Sequence, residues 1–523
     1  MSPKFEANSC TYSQLLDYFL ELHPRSFIGD LYLDKILTFD KFQKLSKSIS
    51  LQMRNEVLNR KDIVHFIGPN GLALCACYCG VAYNDWIPVG SSSTTPLLEL
   101  QNNINNTYSK ALLISKKLWE KFGPMLTSKT LRLVFVYDVL EKDSFAVDIQ
   151  KLEFDNNGEI IDYDKSQLQE VSFMFMTSGS TGLPKAIMIN HNIVLQSLML
   201  LSKHYLVKSS DEQRTFIFCN PFSNSGGMVT FFSGMVNGYN IFPMEGFDSK
   251  LYLDAYVKYR CNYIYCSPAI LVSMSKYAKL SNYDMSNTRT IICGGSKINL
   301  EAVKLIQHKT NIPEEVAFFE LYGSSECPTT HLTKSTINDI KEYLEPPVHP
   351  VRCKIMNVVT NKECAIEEDG ELLIKSPFTM LGYLGDEAKT KSVLTEDGWY
   401  RTGDVAHFDA IGNLFISGRI KEVIKFRSFS VHSAELERVL SQNPAVKISG
   451  VVGENHAEHG EIPVAVVEKA FDISAEEIMG FVNERVSEYK RLHKVYFLDK
   501  IPFNSGNKVD KKILKEIVNN RRM

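Results

Sequence analysis

The amino-acid sequence predicts an α/β protein with a large N-terminal domain of parallel-rich sheets and helices, a β-rich subdomain and a small α+β C-terminal domain. Three observations lead to this fold class. The 523 residues are too many for one hydrophobic core. Short apolar runs alternate with helical patterns over most of the chain. From about Gly370 onward, glycine-rich turns separate short strands, and a charged, helix-rich tail follows.

The N-terminal part alternates helices with buried strands. Apolar residues recur at helical spacing in "CTYSQLLDYFLELHP" and again after Thr38, a strand-end or cap residue, in "LTFDKFQKLSKSISLQM". Short apolar runs predict buried strands at "DIVHFIG", "ALLIS" and "LRLVFVYD". This alternation is typical of a parallel sheet covered on both faces.

The middle of the chain continues the pattern with strands that stop at small or turn-forming residues. These strands are "TFIFCNPF", "NYIYCSP" and "TRTIICGG". Open α/β sheets bind ligands at such strand ends. The sequence pattern then changes to short strands separated by turns, as in "GWYRTGDVAHFDAIGNLFISGRIKEVIKF". We expect a domain boundary near Gly418 to Lys421.

The composition excludes several classes of function. Lys plus Arg is 58 against 61 for Asp plus Glu, so no general attraction to nucleic acid is expected. No apolar run is long enough to predict a membrane span. The 11 cysteines have no regular spacing and no secretory signal opens the chain, which indicates a reducing compartment. Cys75, Cys77 and Cys79 lie in an apolar segment and are predicted as core thiols rather than zinc ligands.

The segment "MTSGSTGLPKA" (176–186) combines hydroxyls, glycines and a lysine on one loop between an apolar strand and a helix-like stretch. Glycines allow the backbone to approach phosphate oxygens, hydroxyls donate hydrogen bonds, and Lys185 adds charge. A triphosphate is the ligand that this pattern favours over a plain surface loop. The loop is not a Walker loop, because Pro184 precedes Lys185 and Ala186 follows it.

This loop closely resembles that of the adenylate-forming superfamily, which includes acyl-CoA synthetases, 4-coumarate-CoA ligases, beetle luciferases and peptide-synthetase adenylation domains. Further motifs follow in that family's order: "GGS" (294–296), "LYGSSE" (321–326), "WYRTGD" (399–404), "GRIKEVIKFRSFSVHSAELE" (418–437) and "IPFNSGNKVDKKIL" (501–514). The ATP- or AMP-binding residues that the resemblance implies are Thr177, Ser178, Gly179, Ser180, Thr181, Gly182, Lys185, Gly295, Ser296, Tyr322, Gly323, Ser325, Asp404, Arg419 and Lys508.

The resemblance also implies roles for individual residues. Tyr322 would pack on adenine, and Glu326 would hold Mg²⁺, a hard cation that prefers carboxylate ligands. Asp404 would accept hydrogen bonds from both ribose hydroxyls. The catalytic residues would be Lys508, Lys185, Glu326 and Arg419.

The implied reaction joins a carboxylic acid to ATP and releases pyrophosphate. Lys508 would bridge the acid and the α-phosphate while Mg²⁺ balances the phosphate charge. The resemblance divides the chain into an adenylation domain (1–417), a hinge (418–421) and a mobile domain (422–523) that carries Lys508. Rotation about the hinge would then admit CoA as the acceptor of the acyl group.

Two segments bear on which acid and which acceptor are used. The acyl pocket would include Asn224, Gly226, Gly227 and Met228, with room at Gly226 where relatives can carry a ring. This region lacks the aspartate with which peptide synthetases hold an amino group, and no carrier-protein motif follows the tail, so a fatty or aromatic acid is favoured. On the CoA path, Arg427, Ser428 and Phe429 stand where the family has a basic residue, glycine and tyrosine. Because Ser428 replaces the glycine, CoA and another acyl acceptor both stay open as alternatives.

Two alternatives to an acid–CoA ligase stay open. A luciferase-like oxygenase would use Lys425 to assist oxidation of the adenylate. A catalytically weakened, nucleotide-binding homologue is suggested by substitutions at small-residue or pocket positions, which are Asn224, Ala186, Ser325, Ser428 and Asn507. The cytoplasm is the predicted location, with the peroxisome as an alternative because Arg521-Arg522-Met523 weakly resembles a peroxisomal tripeptide.

Overall fold

The structure is a computed structural model that describes residues 12–139, 147–154, 168, 170–177, 184–193, 213–427, 429–456, 458–504 and 508–520. The chain forms two compact units. The first comprises Met1–Ile298, Ala302–Ile340 and Ser376–Ser392, and the second comprises Asn299–Glu301, Lys341–Lys375 and Val393–Met523. These units are defined by compactness and not by motion, so the predicted domains 1–417 and 422–523 and the hinge at 418–421 stay predictions.

The helices of the first unit include both predicted N-terminal helices. Thr38 is the last residue of a strand and also caps the second helix, because its side chain accepts a hydrogen bond from the Lys41 backbone N–H at 3.4 Å. The predicted core thiols Cys75, Cys77 and Cys79 are all buried on the third helix. The helices are α1 (Tyr12–Leu22), α2 (Phe39–Met53), α3 (Leu72–Tyr83), α4 (Leu97–Asn106), α5 (Lys116–Phe122), α6 (Ser225–Val236), α7 (Ser249–Lys258), α8 (Pro268–Ser275), α9 (Leu300–Thr310) and α10 (Glu387–Val393).

An N-terminal sheet and a central sheet form the framework of this unit. The N-terminal sheet has the order β4-β3-β5-β6-β7 and the central sheet has the order β15-β14-β13-β12-β10-β11-β1-β2. Pairing is parallel except at β6/β7, β1/β2 and β14/β15. The strands are β1 (Phe27–Asp30), β2 (Lys35–Thr38), β3 (Ile63–Ile67), β4 (Ile87–Ser91), β5 (Ala111–Ser115), β6 (Leu133–Val139), β7 (Val147–Glu153), β10 (Thr215–Phe218), β11 (Asn240–Pro243), β12 (Tyr263–Cys266), β13 (Thr290–Gly294), β14 (Ala317–Tyr322) and β15 (His331–Thr336). The predicted parallel-rich α/β fold is confirmed.

A third, small sheet carries the end of the predicted phosphate loop. It consists of β8 (Phe173–Thr177), β9 (Lys185–Ile189) and β18 (Gly382–Tyr383), in the antiparallel order β18-β9-β8. The strand β9 lies between the loop and the predicted helix-like stretch 191–205, because the apolar residues after Lys185 pair on both sides with neighbouring strands. Residues 191–193 of that stretch are helical, and the rest of it lies outside the described residues.

The second unit contains two sheets. The hairpin sheet has the antiparallel order β16-β17-β19-β20, and it contains the predicted β-rich segment. The C-terminal sheet has the order β22-β21-β24-β23, with β25 beside β24. Its core includes Leu436, Val464 and Leu514. The elements are β16 (Arg352–Met356), β17 (Gly370–Lys375), β19 (Tyr400–Phe408), β20 (Leu414–Arg419), β21 (Val423–Phe426), β22 (Phe429–His432), β23 (Val446–His456), β24 (Gly460–Lys469), β25 (Lys494–Phe497), α11 (Ser433–Ser441), α12 (Ala475–Asn483) and α13 (Lys511–Asn520). Across the described residues, none of the helices has both the length and the apolar character needed to cross a membrane.

Candidate active site

Thr177 and Lys185 flank the predicted phosphate loop. They are register partners on β8 and β9, and the Thr177 hydroxyl donates to the Lys185 carbonyl oxygen at 3.3 Å. The other predicted loop residues, Ser178, Gly179, Ser180, Thr181 and Gly182, lie outside the described residues. The two strands therefore fix where the loop begins and ends.

The Lys185 ammonium group has two neighbours from one chain segment. It forms an ion pair with Asp386 and lies 5.9 Å from the centre of the Tyr383 ring. The pKa of Asp386 lies below its ordinary value. The hydrogen bond from Lys185 is the largest cause, and the hydrogen bond from the Lys389 backbone N–H is the second. Lys185 is thus held at one position by charge and by an aromatic face.

Glu326 is attached to the same tyrosine. The Tyr383 hydroxyl donates to Glu326 Oε1 at 2.9 Å, and the Glu326 carbonyl oxygen accepts from the Met380 N–H at 2.7 Å. Burial, and then the negative charge of Glu326, raise the pKa of Tyr383, so the phenol stays protonated at neutral pH. Lys185 and Glu326 are far apart in sequence, and in the structure both contact Tyr383.

The residues around Glu326 are consistent with a magnesium ion that takes most of its ligands from elsewhere. The described part of the chain has no group of three or more His, Cys, Asp or Glu side chains suited to hold a metal. Mg²⁺ usually binds one or two carboxylates and completes its shell with phosphate oxygens and water. A single carboxylate oriented by Tyr383 fits that pattern, and Glu326 would be the residue that holds the ion.

The predicted adenine-side residues lie at the carboxyl ends of neighbouring parallel strands. Gly294 and Leu321 are register partners, which places Gly295 and Ser296 beside Tyr322 at this edge of the central sheet. Gly295 has a φ of +95°, a backbone conformation that favours glycine. Gly323 also has to be glycine, because a Cβ there would lie 2.5 Å from the Thr329 backbone nitrogen.

The predicted acyl segment forms the start of α6. Asn224 caps this helix, with its Oδ1 accepting from the Gly227 N–H at 2.8 Å. A Cβ at Gly226 would meet only Asn224 Oδ1 at 3.5 Å, whereas one at Gly227 would lie 2.0 Å from the Pro221 carbonyl oxygen. Met228 is buried. Gly226 is therefore the position of this segment with space around it.

A hydroxyl pair links the acyl segment to the Glu326 motif. Ser325 Oγ lies 2.7 Å from Ser225 Oγ at the start of α6. Ser325 therefore supplies a hydroxyl that makes a hydrogen bond. The geometry connects the segment expected to bind the acid with the segment expected to bind the nucleotide.

In the second unit, Asp404 and Arg419 form one group. They are register partners on β19 and β20, and Arg419 Nε lies 2.7 Å from Asp404 Oδ1. Arg419 Nη1 also donates to the Thr402 carbonyl oxygen at 2.9 Å. Both predicted nucleotide-binding residues of this sheet are thus held in fixed orientations.

Lys508 lies in a turn just before α13. Its N–H donates to Asn504 Oδ1 at 3.2 Å, and its carbonyl oxygen accepts from the Asn504 N–H at 2.8 Å. The Lys508 residue is exposed to solvent. The turn is therefore fixed through the backbone of Lys508 and leaves its side chain at the surface of the second unit.

A partly buried ion network anchors the helix that follows. Lys511 Nζ lies 2.6 Å from Glu422 Oε2, 2.8 Å from Ser433 Oγ and 3.0 Å from Glu437 Oε1. Burial opposes the charge of Lys511, yet the carboxylates of Glu437 and Glu422 raise its pKa above the ordinary value. Burial also raises the pKa of Glu437. The network ties α13 to α11 and to the segment that follows the predicted hinge.

The predicted CoA path begins at the β21–β22 turn. Arg427 has a φ of +54°, and its Nε donates to His459 Nδ1 at 3.3 Å. Phe429 is about half exposed and its ring stacks on Tyr489 with 4.6 Å between centres. Ser428 lies outside the described residues. Lys425, on β21, donates its N–H to Glu461 Oε2 at 2.9 Å.

Three contact residues of these sites were missed by the sequence reasoning. Asp386 could have been found from local sequence, because an aspartate just before a helix is a common cap residue. Its Oδ1 accepts the Lys389 N–H at the start of α10. Tyr383 had none, since its role comes from a strand pairing with β9 over a long sequence separation. Lys511 resembled the other lysines of a basic helix, and only burial distinguishes it.

The fold agrees with comparisons to known proteins. Residues 25–384 match the AMP-binding enzyme family, and residues 435–508 match the C-terminal domain of AMP-binding enzymes. The chain therefore belongs to the AMP-binding enzymes of the adenylate-forming superfamily, in which ligases and luciferases occur.

Individual relatives show how broad this family is. A luciferin 4-monooxygenase of Luciola mingrelica is 29% identical over 357 residues, which are 68% of this chain and 65% of that protein. The chain thus spans slightly less than two thirds of that relative. A probable CoA ligase of Humulus lupulus is 26% identical over 515 residues, 94% of this chain and 90% of the ligase.

A solved structure shares the fold over nearly the whole length. ATP-bound MatB from Rhodopseudomonas palustris aligns with 98% of this chain and 100% of its own, with a TM-score of 0.79 and 18% identity. At this identity the match establishes the fold only.

Proposed function

We propose that the protein activates a fatty or aromatic carboxylic acid with ATP to an acyl-adenylate, releases pyrophosphate, and transfers the acyl group to CoA. The observation that carries the proposal is the grouping of Lys185 and Glu326 around Tyr383 at the end of the predicted phosphate loop. A cation and a metal-binding carboxylate together suit the β- and γ-phosphates that leave as pyrophosphate.

The remaining residues supply binding and positioning in this proposal. Tyr322, Gly295 and Ser296 would hold adenine, and Asp404 with Arg419 would hold the ribose. The Lys508 ammonium would neutralise the negative charge that develops as the carboxylate attacks the α-phosphate. Mg²⁺, held by Glu326, would add charge neutralisation at the phosphates when bound. The space at Gly226 favours an acid with a bulky or extended group.

The oxygenase reading has support of its own in the luciferin 4-monooxygenase relative. In that reading Lys425 would act on the adenylate after ATP has been used. Lys425 is exposed on β21. The extent of alignment does not separate the two functions, because the probable CoA ligase and a luciferin 4-monooxygenase of Photinus pyralis each align with 94% of the chain. The response of pyrophosphate release to CoA decides between them.

The test is pyrophosphate release with ATP, Mg²⁺ and a panel of short, medium, long and aromatic acids, with and without CoA. Acid-dependent release that CoA accelerates supports the ligase. Release that ignores CoA indicates another acceptor, and light emission with luciferin and ATP would favour the oxygenase. No release with any acid, together with retained ATP binding, would favour a catalytically weakened homologue.

The cellular location stays a prediction, with the cytoplasm favoured over the peroxisome. The tripeptide Arg521-Arg522-Met523 lies outside the described residues. Fusion of a fluorescent protein to either end of the chain, with the C-terminal tripeptide covered or exposed, would distinguish the two locations.

A further inference from the structure

We propose that Tyr383 is a positioning residue that sets the Glu326 carboxylate and the Lys185 ammonium group in place for a metal-bound triphosphate. This inference rests on the proposed function. Its basis is that one side chain contacts both groups, with its hydroxyl 2.9 Å from Glu326 Oε1 and its ring centre 5.9 Å from Lys185 Nζ.

Tyr383 is itself held rigidly. It lies on β18 and pairs with Ile187 of β9, two residues after Lys185. Its backbone N–H donates to Thr390 Oγ1 at 2.9 Å, and it is only 7% exposed. Because Tyr383 and Lys185 belong to two directly paired strands, the sheet fixes their backbones close to each other.

The hydrogen bond from Tyr383 orients the Glu326 carboxylate and leaves lone pairs of its oxygens available to a metal ion. A carboxylate has two oxygens and about four lone-pair sites, so one phenol leaves acceptor positions for a cation. Hydrogen bonds to a metal-binding carboxylate fix its orientation and typically affect metal affinity by about 10–100-fold. The phenol O–H is the donor in this bond, since an ionised carboxylate can only accept.

Asp386 completes the arrangement on the other side of Lys185. Its carboxylate pairs with Lys185 and also accepts the Lys389 N–H at 2.9 Å, at the start of α10. The ion pair keeps the ammonium group over the Tyr383 ring. A triphosphate would compete with Asp386 for Lys185 while the ring contact stays in place.

The decisive variant is Tyr383→Phe, which keeps the ring and removes the hydroxyl. A matched control is Tyr83→Phe, because the Tyr83 hydroxyl also donates to a carboxylate, Asp17, at 2.7 Å. That pair lies on α3 and α1, which carry none of the predicted site residues. Both variants lose one phenol–carboxylate hydrogen bond, so a general effect on stability appears in both.

The first readout is ATP affinity measured by calorimetry over a series of Mg²⁺ concentrations, and the second is the Mg²⁺ dependence of pyrophosphate release. We expect Tyr383→Phe to raise the Mg²⁺ concentration for half-saturation about tenfold in both, with metal-free ATP binding unchanged. The control should match the unaltered protein. In a Glu326→Gln background, Tyr383→Phe should add little, because the hydrogen bond acts through that carboxylate.

The outcomes separate the two proposals. If the unaltered protein releases pyrophosphate and Tyr383→Phe has the same Mg²⁺ dependence, the positioning role is wrong and the proposed function stands. Equal effects of Tyr383→Phe in the presence and absence of Glu326 would also overturn the role. If the unaltered protein binds ATP but releases no pyrophosphate, the proposed function fails, and the calorimetric arm still tests Tyr383.

Discussion

Arg419 Nε lies 2.7 Å from Asp404 Oδ1, and the two residues face each other directly on β19 and β20. Asp404 is 7% exposed, and the hydrogen bond from Arg419 to the Thr402 carbonyl oxygen fixes the guanidinium group. Charge-assisted hydrogen bonds of this kind are short and directional. The two residues predicted to bind the nucleotide in this sheet therefore act as one preorganised group.

We expect Asp404→Asn to weaken ATP binding about 10–100-fold, because hydrogen bonds to a charged group contribute about 1.5–3 kcal/mol. The variant should also lose discrimination between ATP and its 2′-deoxy analogue, which the unaltered protein should show. Calorimetry with both nucleotides measures this. Glu396→Gln, at an exposed position, is the control, and unchanged discrimination in Asp404→Asn would remove Asp404 from the ribose site.

We expect Lys508→Ala to slow acyl-adenylate formation by at least about 100-fold, because removing one preorganised donor at a developing charge costs that much. ATP binding and the melting temperature should stay unchanged, since the turn is held through the Lys508 backbone. Single-turnover pyrophosphate release measures the rate. Lys512→Ala, an exposed lysine of the same segment, should behave as the unaltered protein, and an equal rate in both variants would contradict the assignment.

We expect Lys511→Met to destabilise the second unit by about 2–4 kcal/mol, because it leaves the partly buried Glu437 carboxylate without its cation. Burial already raises the pKa of Glu437, and loss of the lysine in the variant raises this pKa further. The loss of stability should therefore grow as pH rises, because ionising Glu437 in the folded variant costs more free energy. Thermal melting at several pH values measures this. Addition of Glu437→Gln should restore part of the stability, and a double variant no more stable than Lys511→Met would rule out an unpaired charge as the cause.

Glu320 gives a pH dependence with a defined sign. Burial raises the pKa of Glu320 from 4.5 to about 7, although Lys297 partly opposes the shift. The folded state therefore holds a proton that the unfolded state releases, and stability falls as pH rises from about 4.5 to about 7. The glutamine of Glu320→Gln cannot ionise. Near pH 4.5 this variant should therefore melt at the same temperature as the unaltered protein, in which Glu320 is protonated.

The same variant should be more stable than the unaltered protein by about 3 kcal/mol near pH 8. Glu315→Gln, at an exposed position five residues earlier, is the control and should show no pH-dependent difference. Melting curves across this pH range measure both variants. A difference for Glu320→Gln that is constant with pH would show that ionisation of Glu320 is not its cause.

Local pattern was sufficient to predict much of this protein. Apolar runs that end at turn residues predicted β10, β12 and β13, because a buried parallel strand needs apolar residues throughout. Helical spacing after Thr38 predicted α2 and its cap. The order of the motifs identified the superfamily. The individual site residues stay predictions, since their roles depend on bound nucleotide and acid.

The sequence by itself determined the fold class, the family and the segments that carry Lys185, Glu326, Asp404 and Lys508, because these depend on short-range pattern and on residue type. Only the tertiary structure decided that Tyr383 contacts both Glu326 and Lys185. That contact depends on a pairing between β9 and β18, strands nearly 200 residues apart, as the interval between Ile187 and Tyr383 shows. Such pairing arises from the packing of the whole unit, which local periodicity does not encode.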